Sequence, residues 1–297
     1  MATSDRPVEV WRLPDEEWKA GRRALTWTVG PDGELAVLVV PEQYVAPAGS
    51  WPEVRYPYDA EVVVIGPRGE WRVPLSGVDR SPDHLALLPG GRLLLVEIRA
   101  EQDGDEWLPN GYVYGPDGTP GRELHLGDDM PVLVTDRAGR IWMAYGDEGI
   151  YGDHPMAAAG LRAADTHGRM VWSPDHRKLP GYPLEGLAGA TEGGSTWLAW
   201  YPSSSGSYLT RIEAADGAST TVPCPVRQPV GFAVRAREGV FLSHGGDLTW
   251  HLLVGKQWKQ TGKRRPDVPG ELDRRRAYGR DGVLWFRSGN GWYRVAA

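Results

Sequence analysis

Six similar phrases, each a glycine-containing turn followed by a strand-length apolar pattern, are distributed along the 297-residue chain. Each turn is followed by a short apolar run or by alternating apolar and polar residues, which is the pattern of one β-strand. Glycine readily adopts the positive φ that tight hairpin turns require. The pattern therefore predicts six β-hairpins. Their turn glycines are Gly33, Gly91, Gly139, Gly194, Gly239 and Gly282.

The spacing of these glycines indicates an internal repeat. Successive glycines lie 58, 48, 55, 45 and 43 residues apart, and a propeller blade of four strands occupies about 40–50 residues. In most repeats a second glycine-containing turn follows, at 66–69, 115–118, 165–168 and 214–217. Two turns and their flanking runs give four strands, so the sequence predicts an all-β, six-bladed β-propeller of four-stranded antiparallel blades in a single domain. In the second blade these strands are predicted at residues 84–88, 92–99, 111–115 and 122–126.

The two ends of the chain are predicted to complete one blade together. The sixth repeat ends after three strands, at residues 291–295, while residues 8–13 form an isolated strand pattern. If residues 8–13 supply the missing outer strand, the ring closes without a disulfide and few sheet edges stay free. The predicted blades are residues 24–81, 82–128, 129–186, 187–228, 229–271 and 272–297, with 8–13 closing the last.

Three tryptophans occur at the same position of their repeats. Trp142, Trp197 and Trp285 each lie three residues after a turn glycine. Large rings that recur in a repeat are typical of the core, where they fill wide, twisted interfaces between sheets. We therefore expect these tryptophans to pack between adjacent blades rather than to hold a cofactor.

The phrase Gly139-Arg-Ile-Trp-Met-Ala-Tyr-Gly resembles the second strand of sensor-type propeller repeats in bacteria. The resemblance covers the whole chain as architecture and implies a six-bladed propeller. It implies no activity, since the Gly-x-Ile-Trp pattern occurs in propellers with many functions. Lactonase-type propellers bind calcium through glutamate, asparagine and aspartate, but Asn110 and Asn290, the two asparagines of this chain, fall in or beside loops. This difference disfavours a lactonase.

Composition narrows the class of protein. The chain is 41% apolar and 24% charged, as is usual for a folded globular protein. A net charge of −6 disfavours a nucleic-acid partner, because it repels phosphate. Cys224 is the single cysteine, so no intrachain disulfide forms. No apolar stretch has the length of a signal peptide or a membrane span, and the sequence predicts a soluble, cytoplasmic protein with no membrane partner.

The loops between the second and third strands of the blades are predicted to carry the function. They are long in blades 1 to 3, approximately at residues 41–60, 100–110 and 146–159, and short in blades 4 to 6. The long loops are rich in aromatic and acidic residues. Aromatic anchors surrounded by polar groups are typical of binding surfaces. The sequence thus favours a non-enzymatic module that binds a small molecule or a protein on this loop face.

Residues 145–154 are the most distinctive part of these loops, because glycines alternate with acids and tyrosines. The carboxylates would recognise an amine or a guanidinium, or would hold a divalent cation, for which Asp147, Glu148 and Asp153 are the candidate ligands. The alternative is that Asp147 and Glu148 only accept hydrogen bonds from turn amides. No cofactor is certain. The predicted ligand-binding residues are Tyr145, Asp147, Glu148, Tyr151, Asp153 and Trp107.

The alternative function is a hydrolase or lyase at the mouth of the central channel. Carboxylates and histidines would act there as acid and base, with or without a divalent cation. The standard local motifs of hydrolases and zinc sites are absent from the sequence, and a purely structural scaffold also stays open. The candidate catalytic residues are His84, Asp128, Asp129 and His154, beside Asp147 and Glu148.

A basic segment occupies residues 256–276. By its position it forms the outer strand of blade 5 and the connection to blade 6. Lysines and arginines on an edge strand hinder unwanted pairing between sheets, so we interpret the segment as a charged edge. An anion or nucleic-acid site is the alternative. The basic residues are Lys256, Lys259, Lys263, Arg264, Arg265, Arg274, Arg275 and Arg276.

Overall fold

The structure, a computed structural model, describes residues 6–45, 57–202 and 206–297. These residues contain 26 β-strands and two one-turn α-helices, α1 (Asp15–Lys19) and α2 (Asp147–Tyr151). Short 3-10 turns occur at Glu42–Tyr44, Ala157–Ala159 and His176–Lys178. The chain is therefore almost entirely β, as its alternating pattern predicts. The predicted loop at 41–60 lies partly outside the described residues.

Contacts between Cα atoms divide the chain into two compact units. The smaller unit comprises Leu13–Leu126 and Arg137–Gly139, and the larger unit comprises the N-terminal residues to Arg12, Gly127–Asp136 and Arg140–Ala297. The first eleven strands are β1 (Val8–Arg12), β2 (Arg22–Val29), β3 (Leu35–Pro41), β4 (Tyr58–Gly66), β5 (Gly69–Val78), β6 (His84–Leu88), β7 (Arg92–Val96), β8 (Gln102–Asp103), β9 (Glu106–Trp107), β10 (Gly111–Tyr114) and β11 (Pro120–Leu124).

Fifteen further strands follow, all in the larger unit. They are β12 (Val132–Thr135), β13 (Ile141–Ala144), β14 (Leu161–Ala164), β15 (Met170–Trp172), β16 (Glu185–Glu192), β17 (Ser195–Tyr201), β18 (Tyr208–Glu213), β19 (Ser219–Pro223), β20 (Pro229–Arg235), β21 (Glu238–Ser243), β22 (Leu248–Val254), β23 (Gln257–Arg264), β24 (Leu272–Arg280), β25 (Val283–Ser288) and β26 (Gly291–Ala296).

The smaller unit contains two antiparallel four-stranded sheets, β2-β3-β4-β5 and β6-β7-β10-β11. Strands β8 and β9 form a separate two-stranded hairpin. The inner strands are apolar on both faces, because β6 and β3 are buried along almost their whole length. The strand predicted at residues 84–88 is found at His84–Leu88, and the one predicted at 111–115 is found at Gly111–Tyr114.

In the larger unit, the N-terminal strand completes the last sheet. Strand β1 pairs with β26 in antiparallel register, with Val8 opposite Arg294 and Arg12 opposite Gly291. The Arg12 guanidinium donates to the Tyr293 hydroxyl at 2.8 Å. The pairing that the sequence predicts between residues 8–13 and the last repeat is therefore present.

The inner strands of the larger unit approach more closely than separate blades would. Strands β16 and β24 pair in parallel through Ala190 opposite Gly279 and Thr191 opposite Arg280. This pairing joins two four-stranded sheets into one of eight strands, β1-β26-β25-β24-β16-β17-β18-β19. This contact links two of the predicted four-stranded units, because Ala190 and Gly279 are small enough for the two backbones to pair.

Two of the six predicted turn glycines do not adopt a positive φ. In these repeats the left-handed position is taken by Gly193, with φ 54°, and by Ala236, with φ 57°, instead of by Gly194 and Gly239. The other four follow the prediction, with φ between 74° and 84°. A turn glycine read from sequence thus locates a hairpin to within about three residues.

The three repeated tryptophans are buried, as expected. Trp142 is 1% exposed, Trp197 3% and Trp285 4%. The Trp197 ring on β17 lies 6.5 Å from the Trp258 ring on β23, so it packs between two sheets of the larger unit. Trp142 also donates from Nε1 to the Asp136 carboxylate at 3.0 Å.

Candidate functional site

The distinctive segment after β13 folds into the single turn of α2 rather than into an irregular loop. It is held by Asp129, which lies in the connection before β12. The Gly146 amide donates to the Asp129 carbonyl oxygen at 2.7 Å, and the Gly149 amide donates to the Asp129 carboxylate at 3.3 Å. Asp129 has the unusual φ of 52°. The backbone of this predicted catalytic residue thus positions the turn.

Two of the three glycines of this segment lie in close packing. A Cβ at Gly149 would lie 2.0 Å from the Asp128 carbonyl oxygen, and a Cβ at Gly146 would lie 2.2 Å from Asp129 Oδ2. At Gly149 the contact is with backbone, so a larger residue would require the chain to shift, whereas at Gly146 the Asp129 carboxylate would have to move. Asp128, a second predicted catalytic residue, is only 5% exposed and lies beneath α2.

Glu185, which the sequence analysis did not single out, joins this cluster as the first residue of β16. Its carboxylate accepts a hydrogen bond from the Asp147 amide. Burial, followed by repulsion from the Asp129 and Asp147 carboxylates, raises the pKa of Glu185 to about 7. The sequence did offer one signal for Glu185, which is its position at the start of an inner strand. The predicted catalytic residue His84 occupies the same position in β6.

Aromatic side chains lie beside the acids. Tyr151, at the end of α2, is 75% exposed, and it shares one side of the helical turn with Asp147 four residues earlier. Tyr182 is 40% exposed, and its hydroxyl donates to the Ala158 carbonyl oxygen. Tyr151 and Tyr182 are close enough to interact electrostatically. Tyr182 lies in the connection before β16, and sequence reasoning confined to the long loops missed it.

Two predicted residues of the segment lie below its surface. Tyr145 is fully buried, its ring packs against Gly127, and burial raises the pKa of its hydroxyl. His154 is 3% exposed, and its Nδ1 accepts from the Met156 amide at 3.2 Å. In this structure both side chains support the segment from within. Glu148 and Asp153, in contrast, are exposed.

Two other predicted residues belong to the smaller unit. His84 begins β6 and is 3% exposed. Trp107 ends β9 in the short hairpin and is partly exposed. The roles predicted for His84 in catalysis and for Trp107 in ligand binding stay predictions.

The predicted metal ligands are not assembled into a metal site. Within residues 6–45, 57–202 and 206–297, no group of three or more histidine, cysteine, aspartate or glutamate side chains has the arrangement to hold a metal ion. Asp147, Glu148 and Asp153 therefore do not form such a group with one another. In the same ranges, no helix has the length and apolar character needed to cross a membrane.

The raised pKa of Glu185 predicts a pH-dependent effect on stability. The folded state keeps a proton on Glu185 up to about pH 7, whereas the unfolded chain releases it near 4.5. The contribution of Glu185 to the free energy of unfolding is therefore greatest below pH 4.5, where the carboxyl is protonated in both states. It is lost as the pH rises through 7 and the folded protein must accept the buried charge. We expect Glu185→Gln to raise the free energy of unfolding by about 1 kcal/mol at pH 8, after allowance for solvent screening of this half-buried group. At pH 4.5 we expect almost no change.

Urea unfolding of the wild type and Glu185→Gln at both pH values measures this effect. The exposed Glu238 provides the matched control, because Glu238→Gln removes the same charge away from the cluster. A stabilisation by Glu185→Gln of equal size at pH 4.5 and pH 8 would show that the carboxylate is not strained by its neighbours.

The sequence matches no protein-family model and no curated protein. Solved structures do match along almost the whole chain. A chain of the mitotic checkpoint complex covers 100% of this chain and 93% of its own length, with a TM-score of 0.54 and 10% identity. The WD40 repeats of RRP9 cover 97% of this chain and 99% of their own length, with a TM-score of 0.50 and 8% identity. A gluconolactonase from Xanthomonas campestris covers 99% of this chain and 96% of its own length, with a TM-score of 0.47 and 16% identity.

The likeness to the first two of these structures concerns the fold. WD40 repeats form the four-stranded blades of β-propellers, and the described strands form antiparallel four-stranded units of the same kind. The protein is therefore a β-propeller. At identities of 8% and 10% the likeness concerns the fold alone.

Proposed function

We propose that this protein is a six-bladed β-propeller closed by β1, and that it is a non-enzymatic module binding a cationic segment of a partner protein. The binding site is the acid–tyrosine surface, which we define as Asp147, Tyr151, Tyr182 and Glu185. The observation that carries the proposal is that Glu185 lies against Asp147 and Asp129, where burial, followed by repulsion from these two carboxylates, raises its pKa to about 7.

Like charges held together at a surface favour a positively charged ligand. Each additional negative charge close to Glu185 makes its ionised form less stable, and a bound ammonium or guanidinium group would reverse this effect. The tyrosines add to the attraction, because a cation over an aromatic face gains about 0.5–1 kcal/mol at an exposed site. Proteins often keep such strained groups where function requires them, at a cost in stability.

The exposure of Tyr151 supports a protein partner. With 75% of its surface accessible, the ring stands out from α2 rather than lining an enclosed pocket. Exposed tyrosines are common among the residues that contribute most to protein interfaces. One of the similar propeller chains is part of a protein complex, which agrees with this kind of partner.

The second candidate is a hydrolase or lyase in which Glu185 acts as general base. A carboxylate with a pKa of about 7 is suited to proton transfer near neutral pH. Its test is turnover of a panel of esters and lactones, which Glu185→Gln should abolish and Tyr151→Ala should not. The binding proposal is favoured because Tyr151, Tyr182 and Glu185 present their groups on one surface.

The binding proposal is tested by fluorescence anisotropy with a labelled peptide of alternating lysine and glycine. We expect Asp147→Asn/Glu185→Gln to weaken binding at least about tenfold, which corresponds to 1.4 kcal/mol, and Tyr151→Ala to weaken it by about threefold. The control is Asp216→Asn/Glu238→Gln, which removes two exposed carboxylates elsewhere. Equal affinity of the wild type and the site variant, or equal losses in site and control variants, would contradict the proposal.

A further inference from the structure

A second charged surface lies on the outer hairpin of the larger unit, formed by β22 and β23. Residues 248–266 contain five lysines and arginines and no aspartate or glutamate, in a chain whose net charge is −6. All five basic side chains are exposed. The hairpin therefore carries a local excess of positive charge. The residues are Lys256, Lys259, Lys263, Arg264 and Arg265.

Most of these cations have no ionic partner in the part of the chain that the structure describes. Lys263 pairs with Asp247 at 3.0 Å. Among the residues that the structure describes, the other four have no carboxylate oxygen within 4.0 Å. Elsewhere the chain surrounds a cation with acids, since Arg72 pairs with Glu17, Glu61 and Glu70. The hairpin thus presents unpaired charge, which is available to an external anion.

Two apolar side chains lie on the face of the hairpin that carries Lys259 and Arg264, whereas Lys263, opposite Thr249, projects from the other face. Leu252 and Val254 are 38% and 45% exposed. In the β22–β23 register Leu252 lies opposite Lys259, and Val254 lies opposite Gln257. Residues directly opposite one another in an antiparallel pair project from the same face of the sheet. Positive charge and apolar surface are therefore adjacent on this hairpin.

The geometry of β23 indicates recognition through side chains rather than by addition of a strand. The register shifts at Trp250 and His251, which pair with Gly262 and Gln260 and leave Thr261 as a bulge. A bulge and lysines on an edge strand both hinder pairing with another strand. The charged edge that the sequence predicts is consistent with this structure, and its exposed face stays free for contact.

We propose that this basic hairpin surface, comprising Lys259 and Arg264 with Leu252 and Val254, docks an acidic segment of a partner protein that also carries apolar side chains. The opposite charges attract, and the apolar side chains of the segment cover Leu252 and Val254. The site is separate from the acid–tyrosine surface and does not depend on the function proposed there.

Two observations favour an acidic peptide over a nucleic acid. Single strands bind by stacking bases on exposed aromatic rings, but the aromatic ring of β23, Trp258, packs against Phe241 and Trp197. A long polyanion would also extend past the hairpin along a protein whose net charge is −6, which repels it. A short acidic segment stays within the basic hairpin surface, and phosphate would leave the apolar side chains uncovered.

The test is fluorescence anisotropy of the full-length protein with a labelled twelve-residue peptide of repeating Glu-Leu-Asp. We expect saturable binding that weakens as salt is added. Lys259→Glu/Arg264→Glu should weaken it at least about tenfold, because two attractions become repulsions. Leu252→Ser should weaken it by about threefold through loss of the apolar contact.

The matched control is Lys19→Glu/Arg122→Glu, which makes the same change in net charge at exposed residues outside the hairpin. It should alter affinity less than about twofold, and circular dichroism should show all variants folded. Equal weakening by the two charge-reversal variants, or no saturable binding below about 1 mM, would overturn the proposal. Tighter binding of a labelled dodecathymidylate or of phosphatidylserine vesicles than of the peptide would also overturn it.

Discussion

Replacing Gly279 with alanine is expected to abolish cooperative folding, although the change adds only one methyl group. The new Cβ would lie 1.9 Å from the Phe232 carbonyl oxygen and 2.6 Å from the Ala190 Cβ. These are atoms of β20 and β16, so no change of side-chain rotamer relieves the contacts. Overpacking usually costs about 1–3 kcal/mol. Here we expect at least about 4 kcal/mol, which approaches the whole stability of a typical domain.

Urea unfolding followed by circular dichroism measures this loss. The matched control is Gly194→Ala, because Gly194 has no heavy atom within 4 Å of a built Cβ and no positive φ. This control should change stability by at most about 1 kcal/mol, in the stabilising direction. If Gly279→Ala unfolded at the wild-type midpoint, the close approach of β16, β20 and β24 would be incorrect.

The parts of the fold that depend on local patterning could be predicted from the sequence. Strand β6 occupies the predicted residues because its run of apolar side chains is buried on both faces. The pairing of β1 with β26 was predictable because the last repeat lacks one strand and the N-terminus supplies one. Each inference needed only a repeat with known spacing.

The parts that depend on contacts distant in sequence could not be predicted. Glu185 begins β16, whereas Asp147 lies in α2 after β13, a strand of a different sheet. The two residues interact, and no local sequence motif connects them. Similarly, nothing in the sequence around Ala190 and Gly279 indicates that β16 and β24 pair through these two small residues. Composition also does not determine the orientation of Tyr145, since an aromatic ring near acidic residues can point inward or outward. Tyr145 is fully buried, whereas Tyr151 is 75% exposed.

Replacing Arg280 with methionine is expected to lower the free energy of unfolding by about 3 kcal/mol. Arg280 ends β24 and is 6% exposed. Its Nη1 donates to the Thr135 carbonyl oxygen at 2.7 Å and to the Thr191 hydroxyl, so one guanidinium joins the ends of β24, β12 and β16. Methionine retains the apolar stem but leaves a buried carbonyl without this donor. The midpoint of thermal unfolding should fall by roughly 6–12 °C.

The control for Arg280 is Arg274→Met on the same strand, where the side chain is exposed and the expected change is within about 0.5 kcal/mol. A double-mutant cycle with Thr191→Val tests whether the guanidinium acts through that hydroxyl. If it does, Thr191→Val should cost about 1 kcal/mol in the wild type and much less beside Arg280→Met, because the interaction is already lost. Additive losses would show that Arg280 stabilises the larger unit without Thr191, and that the contact between β24 and β16 depends on the backbone pairing of Ala190 with Gly279.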